Sequence, residues 1–419
     1  MAAKDTDQKY PLPKKFEPGR GIYLIGGVLA LVGLLAFLGG LFGGFEHRAW
    51  NGYLIGWWAT LSLGLCGPFY NATQYLSGAG WGVSIRRIPE AMGYYLVPAF
   101  VFGLIALAGT STLFHWMDPS AANDAILAKK SGFLTFGNMA FTTVVSFVAW
   151  IAVTWVMRRN SVKQDETGDP ALTDANRKLS VVFMFVFVFG FSFMTWFWLM
   201  SLEPHWFSTM FQVYAFAVLF QAGLAFMAIL VLHFKENDYF GKFVHDRQVL
   251  LVGQWVFAFT VFYAYIAFSQ FLLIWYANIP EEAGWYVHRI QDAGGWHWFI
   301  ALFATKFIIP FLVLLPQEAK KNKRNILRIV SYSLMLTLPF EVWWWVSFVP
   351  VHGVVHIDIP WLEVLIVLGF VGVFIISVAR GLASANLIPI KDPFLNEALE
   401  HHMHGELPTA EEHAQYSQG

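Results

Sequence analysis

Ten apolar runs, each long enough to cross a bilayer, constrain this 419-residue chain more than any motif in it. A spanning helix needs about 20 largely apolar residues. Runs near 20–42, 50–76, 89–114, 132–157, 179–202, 206–233, 248–278, 296–316, 325–349 and 360–382 qualify. They are continuous and lack the period-2 alternation of a membrane β-barrel. The sequence therefore predicts an all-α integral membrane protein with about ten transmembrane helices, solvated by lipid. Charge agrees: Asp, Glu, Lys and Arg make up 13% of the chain, about half the share of a soluble domain. That is too few to solvate the surface of a water-soluble core this large. A formal net charge of -1 leaves no electrostatic footprint for a nucleic-acid partner.

The cations sort by loop. One side collects Lys4, Lys9, Lys14, Lys15 and Arg20, then Arg86, Arg87, Arg158, Arg159, Lys163, Arg177 and Lys178. The same side continues with Lys235, Lys242, Arg247, Lys320, Lys321, Lys323, Arg324, Arg328, Arg380 and Lys391. The other side holds only Arg48, Lys129, Lys130 and Arg289. Cytoplasmic loops carry the cation excess, so both termini are expected in the cytoplasm. The opposite face is rich in histidine: His47, His115, His205, His288, His297, His352 and His356 lie at or near helix ends there. Interfacial anchoring accounts for most such residues; the remaining readings are a proton-exit surface and a docking face for a partner.

Two words recur at the ends of helices 5 and 9, WFWLMSLEPH and WWWVSFVPVH, each with Trp nine residues before His. Arg86 with Glu90, ahead of helix 3, stands opposite Lys242 with Asp246, ahead of helix 7. These echoes point to two repeated four-helix bundles, helices 2–5 and 6–9, flanked by helices 1 and 10. The divisions follow as a tail (1–19), peripheral helix 1 (20–49), a first bundle (50–205), a second bundle (206–352), peripheral helix 10 (353–385) and a second cytoplasmic tail (386–419). Both bundles start on the same side, which makes the repeats parallel.

An ionisable residue within a span costs roughly 2.5–3.5 kcal/mol on insertion scales and is a functional candidate by default. Lys306 and Glu341 are the clearest. Lys306 lies about 15 Å below the outer start of helix 8 and Glu341 about 12 Å below the outer end of helix 9, at 1.5 Å per residue, so adjacent antiparallel helices bring them to one depth. Ser333 and Thr337 continue a polar line with Glu341 at i, i+4, i+8. The pair reads either as an ion pair that fixes packing or as part of a proton relay. Tyr263 joins the relay candidates from a polar stripe on helix 7. Glu203, His205, His352 and Glu363 are outer candidates, and Glu90, His233 and Asp246 are candidates for proton uptake at the inner face.

Cys66 is the only cysteine, which rules out an intrachain disulfide, a Cys-ligated iron–sulfur cluster and covalent haem attachment through two thiols. Paired histidines inside the spans, as a b-type haem needs, are lacking. The C-terminal His401, His402 and His404 form too isolated a cluster to predict a metal site, so no metal is expected on the chain.

Three words carry a family resemblance: MSLEPHWFSTMF at 200–211, FSQFLLIWYANIPEE at 268–282 and LPFEVWWW at 338–345. They resemble the F-subunit branch of the NrfD or polysulphide-reductase membrane-subunit family, as found in alternative complex III, a bacterial quinol:cytochrome c oxidoreductase. The likeness extends over essentially all ten spans and is specific at those words. It implies a subunit without its own redox centre, packed beside a related, NrfD-like C subunit. Periplasmic partner subunits would hold the haem c groups and iron–sulfur clusters, and a cytochrome c oxidase is a further partner to consider. It also implies a proton-conducting role and leaves a quinone site on this chain open. By motif, Glu203, His205 and Glu341 inherit that role; Lys306, Glu363 and His352 rest on depth and repeat arguments alone. A secondary transporter or a structural anchor for a redox complex is the alternative, although Pro98, Pro310 and Pro339 do not fall at matching positions of the two halves.

Overall fold

The computed structural model describes residues 14–292, 294–350 and 359–400. The principal helices are α1 (Arg20–Phe42), α2 (Glu46–Ser77), α3 (Arg87–Leu113), α4 (Phe136–Thr167), α5 (Ala171–Leu202), α6 (Phe211–Glu236), α7 (Asp246–Ala277), α8 (Trp296–Leu314), α9 (Lys323–Ser347) and α10 (Trp361–Ala383). No strand occurs among the described residues. Nine of these helices, all but α2, are long and apolar enough to cross a membrane. Their outward faces are those of a lipid-facing surface: Leu24, Leu35, Phe141, Phe185 and Phe189 all lie largely uncovered, an arrangement water would penalise.

The tenth predicted span falls on α2. Its 32 residues reach about 48 Å, ample for a bilayer, but its hydropathy is lower than that of the other nine. Position explains the difference. α2 packs against α1, α3, α5, α6, α9 and α10, so protein surrounds it and nearly every residue from Ala49 to Tyr75 is buried. Its polar groups can therefore be met by neighbours. Trp57 Nε1 donates to the Ala99 carbonyl at 2.8 Å, Tyr53 OH to the Phe102 carbonyl at 2.9 Å, and Thr60 pairs with Tyr95 at 2.7 Å. Glycines let its neighbours close in. A Cβ on Gly223 of α6 would fall 2.2 Å from Cys66 Sγ, and one on Gly67 would fall 2.1 Å from the Pro89 carbonyl oxygen.

The remaining contacts follow a pattern. In the first half α2 meets α3 and α5, and α4 meets α3 and α5; in the second half α6 meets α7 and α9, and α8 meets α7 and α9. The halves join where α2 lies against α6 and α9. Hydropathy under-reads two helices at the cation-rich end. The apolar run of α4 stops near 157, yet the helix continues to Thr167 and closes on Gly168, whose φ of +67° suits glycine. α5 begins at Ala171, so a polar helical hairpin projects from that end. Residues 386–399, expected within the C-terminal tail, pack there too: Leu387, Ile388, Leu395 and Ala398 are buried, and Gln248 Nε2 donates to the Ala398 carbonyl at 2.7 Å. His352, His356, Asp358 and the tail histidines lie outside the described residues.

α1 and α10, expected to flank the two bundles, pack along one another. Gly26, Gly33 and Gly40 recur every seven residues along the buried edge of α1. At Gly33 an added Cβ would fall 2.3 Å from the Gly369 Cα, and at Gly26 2.9 Å from the Gly372 carbonyl oxygen. Small residues are what allow helix backbones in lipid to approach this closely. Glycine-to-alanine changes within helices usually stabilise by roughly 0.5–1 kcal/mol. The expected result for Gly33→Ala is the opposite sign, a lower thermal midpoint in lipid nanodiscs, whereas Gly27→Ala, with open space around it, leaves the midpoint unchanged or raises it.

Candidate functional site

Lys306 stands where α8 widens into a single π turn, Ala304–Ile308, a distortion often associated with functional positions. Pro310 has no N–H to offer the Lys306 carbonyl four residues back. Gln221 of α6 supplies a donor instead: its Nε2 lies 2.8 Å from that carbonyl oxygen and 3.4 Å from Thr260 Oγ1 of α7. The Lys306 side chain, wholly buried, forms an ion pair with the wholly buried Glu341 of α9. Its Nζ also sits 4.5 Å from the centre of the Tyr263 ring, a favourable place for a cation.

The second carboxylate oxygen of Glu341 is occupied as well. It accepts from Tyr214 OH of α6 at 2.5 Å and from Tyr263 OH of α7 at 3.1 Å. All four helices α6–α9 thus place a side chain on one buried charge pair. Pairing and hydrogen bonding are the conditions under which such charges persist away from water. Chemically, the cluster offers a carboxylate, an ammonium and two phenols within hydrogen-bonding reach, a set through which a proton can be passed or held.

A second buried pair lies toward the histidine-bearing end. Arg289, in the connection between α7 and α8, pairs with Glu203 at the end of α5. It also donates to the carbonyls of Trp345 at 2.7 Å and Trp285 at 3.0 Å, and its guanidinium covers the Trp285 ring at 4.1 Å. His288 Nδ1 lies 3.3 Å from Glu203. Burial works against the charge of Glu203, but Arg289, helped by His288, holds its carboxyl below the ordinary carboxylate range. Trp345 is four residues beyond Glu341 on α9, so the two pairs are separated by about one helical turn, ~6 Å of rise. The rings of Phe211, Trp345 and Tyr214 stack edge to face in this interval, with centroids 5.2–5.4 Å apart at Trp345. The indole N–H groups of Trp344 and Trp345 are buried there without an acceptor. Orphaned buried donors mark places where a bridging water finds a partner.

Glu203 and His288 open onto a cavity of about 450 Å³ that His47, His115 and His205 also line. His205 pairs with Asp124 at 2.7 Å, and that hydrogen bond, with the backbone N–H groups of Leu127 and Ile126, draws the Asp124 carboxyl down to about 2. Four of the histidines read from the sequence as an outer cluster therefore share one vestibule.

The other sequence candidates fall elsewhere. Thr337 turns its hydroxyl back onto the carbonyls of Ser333 and Leu334, each at 3.0 Å, so neither Ser333 nor Thr337 bonds Glu341. Glu363 forms a two-pronged pair with Arg48, both bonds at 2.9 Å, which ties α10 to α2. Glu90 is buried between Arg87 and Arg158, and Arg87 also reaches Asp165. His233 is exposed at the end of α6. Asp246 is largely exposed and pairs with Lys235. Sequence reasoning missed Tyr214, Gln221 and Arg289. Tyr214 reads as an interfacial anchor near a helix start and Arg289 as an ordinary loop cation; neither carries a local signal of its buried partner.

Removing one member of a buried pair usually costs about 3–5 kcal/mol, because the other charge is left uncompensated, whereas neutralising both is far milder. The expected order of thermal midpoints in nanodiscs is wild type, then the double variant Lys306→Met/Glu341→Gln close behind, then Glu341→Gln alone well below.

No protein-family model and no curated protein sequence matches the chain.

Proposed function

We propose that the chain is a multi-pass subunit of a quinol:cytochrome c oxidoreductase of the bacterial cytoplasmic membrane, with both termini in the cytoplasm. In this reading it contributes a proton-conducting path, and partner subunits carry the electrons. The observation that carries it is the wholly buried Lys306–Glu341 pair, hydrogen-bonded to two tyrosines and about one turn from a second buried pair, Arg289–Glu203. The three sequence words at 200–211, 268–282 and 338–345 supply the family reading, and two of them contain Glu203 and Glu341. The single, buried Cys66 offers no thiolate set for a cluster, in keeping with haem c and iron–sulfur centres on periplasmic partners beside a related membrane subunit.

The division of labour along the path follows from the geometry. Glu341 is the residue at which a proton is held, since its two oxygens face Lys306 on one side and the two phenols on the other. Lys306 and the two phenols surround the carboxylate, so a proton entering the cluster meets it between them. Tyr214 links this group to the layer of Phe211 and Trp345, beyond which Glu203 and the histidine vestibule form the exit. The aromatic layer closes the route in this conformation, so conduction requires that Trp345 and Phe211 part or admit water. The matching contacts within α2–α5 and α6–α9 support the duplicated-bundle reading. Only the second half would then carry the midplane charge pair, and the first would keep its buried charges, Arg87, Glu90 and Arg158, at the cation-rich end.

The deciding experiment uses the double variant, which restores stability if the pair is only structural. In the purified oxidoreductase reconstituted into liposomes, Lys306→Met/Glu341→Gln is expected to assemble and to transfer electrons from quinol to cytochrome c. Its proton uptake per electron should fall by more than half. Unchanged proton stoichiometry in the assembled variant would make the pair a packing device.

A further inference from the structure

Several arginines at the cation-rich end already have their anions. Arg86 pairs with Asp392, Arg87 and Arg158 with Glu90, and Arg328 with Glu236. Arg20, Arg159 and Arg380 are exposed and meet no carboxylate among the described residues. Two of these three converge. At Gly26 of α1 an added Cβ would fall 2.6 Å from Ile376 Cγ1 of α10, so Arg380, one turn beyond Ile376, comes level with the first turn of α1, which opens on Arg20. On its other flank the end of α10 lies against α3: a Cβ on Gly381 would fall 2.9 Å from both the Ala91 carbonyl oxygen and Tyr94 Cδ2. Tyr94 OH and Ser384 Oγ are 2.8 Å apart, and Arg158 of α4 donates to Ser384 Oγ at 3.1 Å, which fixes the junction. Arg158 is itself buried, with an Nε that has no acceptor. The charges of Arg87 and Arg158 are balanced by Glu90 and Asp165; those of Arg20 and Arg380 are left over, so the field at the junction is positive.

Toward the middle of the spans the same surface is apolar. Val97 and Val101 follow Tyr94 on α3 at i+3 and i+7, and Leu24 and Val28 follow Arg20 on α1; all four are at least half uncovered. Both helices are of membrane-crossing length and hydropathy, and a tyrosine or an arginine at the head of such a stripe marks the level of the lipid head groups.

We propose that the junction of α1, α3 and α10 binds an anionic phospholipid, its phosphate between Arg20 and Arg380 and its acyl chains along the uncovered residues of α1 and α3. Guanidinium groups bond phosphate oxygens in pairs, and basic sites between helices at the cytoplasmic end suit anionic head groups. A zwitterionic lipid brings its own ammonium to its phosphate and gains less from two arginines. Free phosphate lacks the chains that hold a head group at this level, and an exposed ion pair in water is worth little. A lipid seated here clamps α1 and α10 to α3 from the lipid side. The assignment needs only the spans and is independent of the oxidoreductase reading.

The test uses the full chain in detergent, titrated with phosphatidylglycerol, phosphatidylcholine or glycerol phosphate and read by native mass spectrometry. One phosphatidylglycerol is expected to stay bound under conditions that strip phosphatidylcholine, with no adduct of glycerol phosphate. Arg380→Gln should weaken its apparent affinity about ten-fold, roughly one charge-assisted hydrogen bond, and Arg20→Gln/Arg380→Gln should reduce it to that of phosphatidylcholine. Arg159→Gln removes the same charge from the same end, but from α4, where the guanidinium lies 5.6 Å from the centre of the Trp155 ring; it should leave the affinity unchanged. Since Arg20 and Arg380 are exposed, thermal midpoints in phosphatidylcholine nanodiscs should match wild type in every variant, and added phosphatidylglycerol should raise the midpoint of wild type and Arg159→Gln but not of the double variant. Equal retention of the two lipids, equal losses in Arg159→Gln and Arg380→Gln, or glycerol phosphate bound as tightly as the lipid overturns the inference.

Discussion

An ammonium and a carboxylate buried between four helices remain charged only when each finds the other and the leftover lone pairs are met. Much of the second half of this fold is arranged around that requirement. α8 widens by a π turn at Lys306, Gln221 replaces the donor that Pro310 cannot give, and Tyr214 and Tyr263 reach in from two further helices to saturate Glu341. Each of these features is unfavourable or neutral for helix formation taken alone. Together they make a charged centre tolerable at a depth where insertion costs several kcal/mol.

The same rule orders the rest of the molecule by what surrounds each helix. α2 is enclosed by protein and can afford polar groups that its neighbours meet, with Trp57 and Tyr53 bonded to backbone carbonyls of α3 and Thr60 to Tyr95, while α1, α4 and α5 present Leu, Val and Phe outward. Close packing is achieved with glycine where lipid gives no hydrophobic drive to helix association, as at the Gly33–Gly369 crossing. Buried charges at both ends are compensated in clusters: Arg86 with Asp392 and Arg87 and Arg158 with Glu90 at one, Arg289 with Glu203 at the other. Among the described residues the charge-poor composition thus resolves into a few ion-paired clusters, with the wholly buried Lys306–Glu341 pair well inside the spans of α8 and α9.

How much of this could be read from the residues depended on whether the signal was local. The helical class and nine of the spans followed from run length, and the pairing of Lys306 with Glu341 followed from depth on adjacent helices. α2 was harder, because hydropathy measures fitness for lipid and α2 meets protein. The lengths of α4 and α5 were under-read for a related reason, since a helix does not stop where its lipid contact stops. At the site, Tyr263 was legible from its polar stripe, but Tyr214 and Gln221 meet the pair from a helix about 85 to 127 residues away in sequence, a relation no periodicity encodes. The polar line through Ser333 and Thr337 lay on the right helix, yet the Thr337 hydroxyl found its own backbone first, as Ser and Thr in helices commonly do.

Whether the buried carboxylate exchanges a proton is the question on which the functional reading turns. Infrared difference spectroscopy of the full chain in lipid, recorded across a pH step in H₂O and D₂O, addresses it at the level of one group. The result expected is a protonated-carboxyl stretching signal that shifts in D₂O, disappears in Glu341→Gln and moves in Tyr214→Phe. A carboxyl signal indifferent to both substitutions would mean that Glu341 keeps its charge throughout and serves only to hold four helices together.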